Sequence, residues 1–226
     1  MSRAAAEMKN LEVEIASGDV LLKGELCVPV QAEGLVLFAH GSGSSRHSPR
    51  NQYVASELRE AGLATLLFDL LTTKEEGLDT FTRQFRFDIE FLARRLVDAT
   101  RWIIAQPQAQ GLRPGFFGAS TGGAAALVAA ARLSDGEVGA VVSRGGRPDL
   151  AGPLLAGVKC PTLLIVGGHD EMVVEFNTWA YDQLTCEKEL LVIRGATHLF
   201  EEPGALEEVA RRAATWFSRH LGGPGR

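Results

Sequence analysis

The sequence has few cysteines, and those it has are not arranged in pairs. Cys27, Cys160 and Cys186 are odd in number and far apart, so they indicate neither a disulfide framework nor a metal-ligand pair of the Cys-x-x-Cys type. Each is expected to be a small buried hydrophobe, because free cysteine is among the most buried residue types. Low cysteine use without pairing is typical of a reducing compartment, which predicts a cytoplasmic protein.

Long apolar runs are also missing. No window of the sequence approaches the roughly 20 apolar residues that a membrane-spanning helix needs. The stretch from Met1 to Asn10 carries Arg3, Glu7 and Lys9 and lacks the apolar core of a secretory signal. We therefore expect neither a membrane segment nor a leader.

A strong charge of either sign is absent as well. The formal net charge of −5 gives no electrostatic basis for binding nucleic acid or an anionic membrane. The expected partner is a small neutral or hydrophobic molecule, and the sequence leaves the oligomeric state open. No metal or organic cofactor is implied by the residues.

What the sequence does contain is an alternation of buried strands and amphipathic helices. Its 226 residues suit one domain, expected to span residues 1–226. Short continuous apolar runs such as Gly34 to Ala39 and Leu63 to Asp69 predict strands covered on both faces. Leu11 to Ala16 and Val20 to Val28 predict a hairpin around Ser17-Gly18-Asp19. The expected fold is α/β, with a mostly parallel sheet, helices on both faces and an N-terminal antiparallel hairpin.

One helix is expected to be especially long. Phe81, Phe85, Ile89 and Leu92 recur at helical spacing, and the pattern continues to Ile103, with charged residues on the other face. The phenylalanines are expected to pack in the core. The segment before them, Leu70 to Asp79, is expected to be a loop.

The segment Gly118-Ala119-Ser120-Thr121-Gly122 matches the G-x-S-x-G pattern of a nucleophile elbow. In that device a strand turns sharply into a helix, so that one serine stands alone above the sheet. The glycines are needed because a Cβ at either position would collide with a neighbouring element. Ser120 as an ordinary helix cap is the alternative interpretation.

Two further residues fit a catalytic triad in chain order. Asp170 follows one predicted strand after the elbow, and His198 follows the next. A serine hydroxyl needs a base to take its proton, and an imidazole needs a carboxylate to hold its tautomer. Asp149 is the alternative acid, since it also follows a strand, and His169 is expected to be a neighbour of the acid rather than the base.

An oxyanion hole requires two amide donors near the serine. The N–H of Thr121, the residue after the nucleophile, can supply one. Ser42, in the glycine-rich loop His40-Gly41-Ser42-Gly43, can supply the other, and Gly43 is an equally good candidate. His40 is expected to hold this loop by hydrogen bonds.

These motifs carry a resemblance to a known family. With Gly168-His169-Asp170 and Ala196-Thr197-His198, the chain resembles the α/β-hydrolase superfamily over nearly its whole length, and within it the dienelactone-hydrolase-like group. Dienelactone hydrolases proper use a cysteine nucleophile where this chain has Ser120. The resemblance therefore implies a serine carboxylesterase rather than lactone-specific chemistry.

The expected pocket is open and small. The stretch between Ser143 and Pro161, where many relatives insert a helical lid, is short, which favours short-acyl esters. Candidate substrate-binding residues follow strand ends, although each also has a core or loop interpretation; they are Leu71, Met172 and Leu199, with Leu70, Val173 and Phe200 beside them. Arg144 is expected either to receive a substrate carboxylate or to form a structural ion pair.

The sequence therefore predicts acyl transfer through a covalent acyl-enzyme. Ser120 is the expected nucleophile, His198 the base and Asp170 its partner. The same machinery on a lactone, thioester, amide or carbon–carbon bond is the nearest alternative. A non-catalytic ligand-binding protein on the same fold is the other, because fold does not dictate function.

Overall fold

The structure is a computed structural model that describes residues 8–222. Its centre is one eight-stranded sheet in the order β1-β2-β4-β3-β5-β6-β7-β8. The strands are β1 (Met8–Ser17), β2 (Val20–Pro29), β3 (Gly34–Ala39), β4 (Leu63–Phe68), β5 (Pro114–Ala119), β6 (Val141–Arg144), β7 (Thr162–Gly167) and β8 (Lys188–Ile193). The pairs β1–β2 and β2–β4 are antiparallel and the remaining pairs are parallel, which confirms the predicted fold class.

Six α-helices accompany the sheet in the described part of the chain. They are α1 (Pro49–Glu60), α2 (Thr73–Thr82), α3 (Ile89–Ile104), α4 (Thr121–Arg132), α5 (Glu171–Gln183) and α6 (Ala205–Leu221). None of these helices combines the length and the apolar character that crossing a bilayer requires. Between β6 and β7 the chain forms only short 3₁₀ turns over Pro148–Gly157, as the absence of a sizeable lid predicts.

Two apolar layers hold the helices against the sheet. One contains Leu96 of α3 and Leu127 of α4, and the other contains Leu58 of α1 and Phe217 of α6. The inner strands β3, β4, β5 and β7 are buried along their whole length, because helices cover both of their faces. A rigid frame of this kind fixes the carboxyl edge of the sheet, from which the polar loops emerge.

The prediction of one long helix from Phe81 to Ile103 is wrong. The chain forms α2 and α3 instead, because Arg83 adopts a left-handed backbone (φ 56°) that ends α2, and Asp88 caps α3 by accepting a hydrogen bond from Phe91 N at 2.9 Å. Phe81 is 88% exposed rather than in the core. The expected loop before it is also partly helical, since Thr72 and Glu75 form a reciprocal cap at the start of α2.

Candidate active site

Ser120 lies where β5 turns into α4, in a backbone conformation that side chains rarely adopt. Its φ is 53° and its ψ is −121°. A Cβ at Gly118 would lie 2.5 Å from the carbonyl oxygen of Gly122, and one at Gly122 would lie 2.6 Å from the carbonyl carbon of Ala39. Only glycine therefore fits on either side of the serine. Ser120 occupies the helix-cap position but makes no capping hydrogen bond with its side chain, so capping does not explain the residue.

Asp170 and His198 meet at the carboxyl edge of the sheet. Asp170 follows β7 and His198 follows β8, and these strands are parallel neighbours. His198 Nδ1 lies 2.6 Å from Asp170 Oδ2, and the N–H donates to the carboxylate. This bond leaves Nε2 as the acceptor of the neutral imidazole. The alternative acid, Asp149, is occupied by Arg147, whose Nε and Nη2 donate to its two oxygens at 2.8 and 2.7 Å.

Within residues 8–222, no hydrogen bond joins the side chains of His198 and Ser120, and their segments are related through the end of β6. Ser120 N donates to Arg144 O at 3.2 Å, so the serine backbone is joined to the end of β6. The next residue, Gly145, has a φ of 51°, and a Cβ there would lie 3.5 Å from His198 Cε1. The imidazole therefore lies beside the residue that follows Arg144, and Arg144 is bonded to the backbone of the serine. Hydrogen bonds of this kind often tighten only when substrate is bound.

The loop after β3 comes against the first residue of α4. Ser42 Oγ lies 3.0 Å from Thr121 Oγ1 and also donates to Arg86 O at 3.2 Å. Within the described part of the chain, the N–H groups of Ser42, Gly43 and Thr121 donate to no loop carbonyl or side chain. Amides of both segments are therefore available at one place, and Ser42 and Gly43 both remain candidates for the second donor.

His40 anchors this loop from beneath. Its Nδ1–H donates to Gly41 O at 3.0 Å, and its Nε2 accepts from Leu70 N at 3.0 Å. Burial lowers the pKa of His40 below its ordinary value, which keeps the ring neutral and able to accept. The hydrogen bonds confirm the interpretation of His40 as a residue that holds the loop.

A cavity of about 290 Å³ opens beside Ser42 and Thr121. Leu71 lines it, as do Glu76, Asp79 and Arg86, which the sequence did not suggest as site residues. The sequence pattern predicts a loop from Leu70 to Asp79, so it gives no direction to the side chains of Glu76 and Asp79. The spacing of Thr72 and Glu75 is the signal of a helix start that would have placed α2 correctly.

Met172 and Leu199 are not part of that cavity lining. They are 64% and 39% exposed and lie on the segments that carry Asp170 and His198. They remain candidates for an outer rim of the site.

Arg144 is buried at the end of β6, with 7% of its surface exposed. Its Cζ lies 5.8 Å from the centre of the Phe200 ring. Phe200 belongs to the segment after β8 that carries His198, here called the histidine loop (residues 194–200). No group in residues 8–222 accepts a hydrogen bond from its Nε or Nη1, and it forms no ion pair there, so the structural ion pair considered for it is not formed. Burial, with a smaller effect of Arg50, lowers the pKa of Arg144 to about 10.

No group of three or more His, Cys, Asp or Glu side chains between Met8 and Gly222 is arranged to hold a metal ion. The three cysteines are unpaired thiols, and burial raises the pKa of Cys27 to about 11 and of Cys160 to about 12. Thiols held protonated in this way are poor nucleophiles.

Comparisons with known proteins find relatives by sequence and by structure, and these relatives carry different names. No protein-family model matches the sequence. Two proteins from strains of Mycobacterium tuberculosis, both provisionally named phosphoribosyl transferases, are 56% identical over 98% of this chain. The match covers 49% of each of those proteins, so the chain spans about half the length of these relatives.

The solved structures are hydrolases. A dienelactone hydrolase from Anabaena variabilis is 58% identical, with a TM-score of 0.92, covering 95% of this chain and 99% of that one. The esterase Pf2001 from Pyrococcus furiosus has a TM-score of 0.75 at 19% identity, covering 95% and 94%, and so shows the fold alone. The likeness to the first of these structures supports a hydrolase that acts on a small molecule. Because one relative matches it at high identity over almost its whole length, the chain belongs to the dienelactone-hydrolase-like group of the α/β-hydrolase superfamily.

Proposed function

We propose that this protein is a serine carboxylesterase that cleaves small, short-acyl esters. The observation that carries the proposal is the 2.6 Å hydrogen bond between Asp170 and His198 at the sheet edge where β5 ends in the strained elbow turn of Ser120. The cysteines offer no competing nucleophile, because burial raises the pKa of Cys27 and Cys160 and keeps both thiols protonated at neutral pH.

In the proposed mechanism, Ser120 Oγ attacks the ester carbonyl while His198 Nε2 takes its proton. Asp170 stabilises the imidazolium that forms and does not itself become protonated. The negative oxygen of the tetrahedral intermediate accepts hydrogen bonds from the N–H groups of Thr121 and Ser42. Collapse of the intermediate expels the alcohol, which receives the proton from His198, and leaves an ester between the acyl group and Ser120.

In the second half of the reaction, water takes the place of Ser120 as the attacking group and Ser120 becomes the leaving group. His198 takes a proton from water, the hydroxide attacks the acyl-enzyme, and the second intermediate releases the acid while Ser120 regains its proton. The two steps consume one ester and one water and yield one acid and one alcohol. Ser120, His198 and the amides return to their starting states.

The test compares wild type with Ser120→Ala on p-nitrophenyl acetate, butyrate and a long-chain ester. Ser134→Ala is the matched control, because that serine is exposed and remote from the elbow. We expect hydrolysis of the short esters, a loss of at least about 10³-fold in kcat for Ser120→Ala, and no change in the control. Activity that survives in folded Ser120→Ala would overturn the assignment, and failure of wild type to react with a fluorophosphonate would favour a binding protein.

The bond that is cleaved is proposed to be an ester. A lactone, thioester, amide or carbon–carbon bond uses the same residues, because a triad does not by itself select the leaving group. A panel of esters, lactones, thioesters and amides with one shared acyl group separates them. We expect the ester to have the highest kcat/KM.

We also propose that residues 1–226 form one domain, since the described residues build a single sheet. The phosphoribosyl transferase name then describes the half of the Mycobacterium tuberculosis relatives that this chain does not match. An assay of this chain with phosphoribosyl pyrophosphate is expected to show no transfer. Transfer by the isolated chain would contradict this division of roles.

A further inference from the structure

The cavity beside the proposed oxyanion donors has a lining in which apolar and hydrogen-bonding side chains are mixed. At about 290 Å³ its volume lies just below the usual range of about 300–1,000 Å³. Most ligand pockets are lined mainly by apolar side chains with a few polar ones. This cavity keeps an apolar part, with three leucines, and its polar part includes five hydroxyls, those of Ser42, Ser44, Ser45, Thr80 and Thr121.

The charged groups in the lining are partly satisfied by the protein itself. Asp79 Oδ1 accepts from Phe85 N at 2.7 Å and from Arg86 N at 3.2 Å, and its Oδ2 accepts from Arg86 Nε at 2.5 Å. Asp69 is paired with Arg46 through both the backbone N–H and the guanidinium. The opposite charges within each pair cancel, so neither pair gives the cavity a net positive charge.

Other groups at the cavity have unused hydrogen-bonding capacity. Within residues 8–222, the Glu76 carboxylate forms no ion pair and accepts no hydrogen bond, and the Ser44 hydroxyl has no partner. Arg86 uses Nε and Nη2 on Asp79, whereas its Nη1 has no acceptor and lies beside Gly43, 3.7 Å from where a Cβ of that glycine would be. The cavity therefore offers an acceptor, a hydroxyl and a donor.

We propose that the ester cleaved by this protein carries hydroxyl groups, as in an ester of a polyol or of a hydroxy acid, and that the hydroxylated part binds in this cavity. This inference rests on the proposed esterase function and names its substrate class. A hydroxyl both donates and accepts, so it can donate to Glu76 while it accepts from Arg86 Nη1. A hydrocarbon chain in the same place would strip water from these groups without replacing their hydrogen bonds.

The free carboxylate also argues against an anionic group at this position. Glu76 carries the uncompensated charge of the lining, because Asp69 and Asp79 each have an arginine. A carboxylate or phosphate placed in the cavity would be repelled by it. A neutral polyhydroxylated group avoids this repulsion and fits the small volume.

The test uses two matched pairs of esters. Glyceryl 1-monobutyrate against n-propyl butyrate places the hydroxyls on the alcohol, and methyl glycerate against methyl propionate places them on the acid. Wild type is expected to prefer the hydroxylated member of one pair by at least tenfold in kcat/KM. The pair that shows the preference identifies which half of the ester binds in the cavity.

Glu76→Gln keeps the size of the side chain and removes the charged acceptor, and Ser44→Ala removes the free hydroxyl. We expect Glu76→Gln to reduce the preference about tenfold, since hydrogen bonds to a charged group are the stronger ones. Glu60→Gln is the matched control, because Glu60 is an exposed glutamate at the end of α1 and is expected to leave the preference unchanged.

Two results overturn this inference while the esterase proposal stands. One is hydrolysis of both members of each pair at similar kcat/KM. The other is a preference that persists unchanged in Glu76→Gln and Ser44→Ala. Failure to hydrolyse any of the four esters would instead overturn the esterase proposal together with the inference.

Discussion

Replacing Arg144 by methionine is expected to make the protein more stable. Burial lowers the pKa of Arg144 from 12.5 to about 10, which corresponds to roughly 3 kcal/mol of unfavourable free energy for carrying the charge in the folded state. The folded-state pKa is the lower one, so this cost is present at neutral pH and disappears only as the pH rises through about 10 towards 12.5.

Methionine keeps an unbranched apolar stem and removes the charge. The contact of the guanidinium with the Phe200 ring is lost, and it is worth about 0.5–1 kcal/mol. The guanidinium's volume is also left partly unfilled, which costs more. We therefore expect a net gain of about 1–2 kcal/mol in the free energy of unfolding, or a rise of a few degrees in Tm for a chain of this size.

The assay is equilibrium unfolding in urea at pH 7, with Arg147→Met as the matched control. Arg147 is paired with Asp149 and is partly exposed, so that variant is expected to lose up to about 1 kcal/mol. A loss of more than about 1 kcal/mol in Arg144→Met would refute the reasoning, because it would mean that the buried guanidinium has a stabilising partner. Opposite signs for the two arginines are the expected result.

Three further predictions concern the loops at the site. Because burial lowers the pKa of His40, the free energy of unfolding is expected to fall as the pH drops below about 6.5, by up to about 1.4 kcal/mol per pH unit. Urea titrations of His40→Gln should show a weaker dependence of this free energy on pH. Ser120→Gly is expected to gain about 1 kcal/mol in the free energy of unfolding, because glycine relieves the strained φ of 53°. Ser120→Ala keeps the strain and should show no such gain. Equal stabilities of the two variants would contradict this prediction. Gly122→Ala is expected to lose at least about 3 kcal/mol in the free energy of unfolding, or to fail to fold, because its Cβ would overlap the end of β3. Gly77→Ala is the control, since Gly77 lies on open surface in α2 and alanine there should gain up to about 1 kcal/mol. Thermal melts compare the two variants.

The parts of the site that depend on local backbone geometry could be predicted from the sequence. The elbow was recognisable because a strained turn between a strand and a helix requires glycine at Gly118 and Gly122. The bond between Asp170 and His198 was predictable because each residue follows a parallel strand, and neighbouring strands end at the same edge. In both cases a residue type and a position in one element were sufficient.

The surroundings of Arg144 could not be predicted in this way. The sequence places an arginine at a strand end, where either an ion pair or a ligand is a reasonable expectation. Whether a carboxylate lies within reach depends on side chains from α1 and from the histidine loop, which are far away in sequence. Arg50, whose charge contributes to the lowered pKa of Arg144, has the same sign of charge and could not have been identified from spacing.

The segment from α2 to the start of α3 is where the periodicity argument failed, and it is also where the cavity forms. Phe81, Phe85 and Ile89 repeat at helical spacing, yet Arg83 leaves the helix and Asp79 turns the chain by accepting from the backbone of Phe85. A continuous helix would have carried Arg86 away from the Ser42 loop, to which its carbonyl is now bonded. The break is therefore what brings Arg86 to the wall of the cavity, which α2 lines through Glu76. A local preference overridden in this way is expected at functional sites, which supports the assignment of this cavity to the substrate.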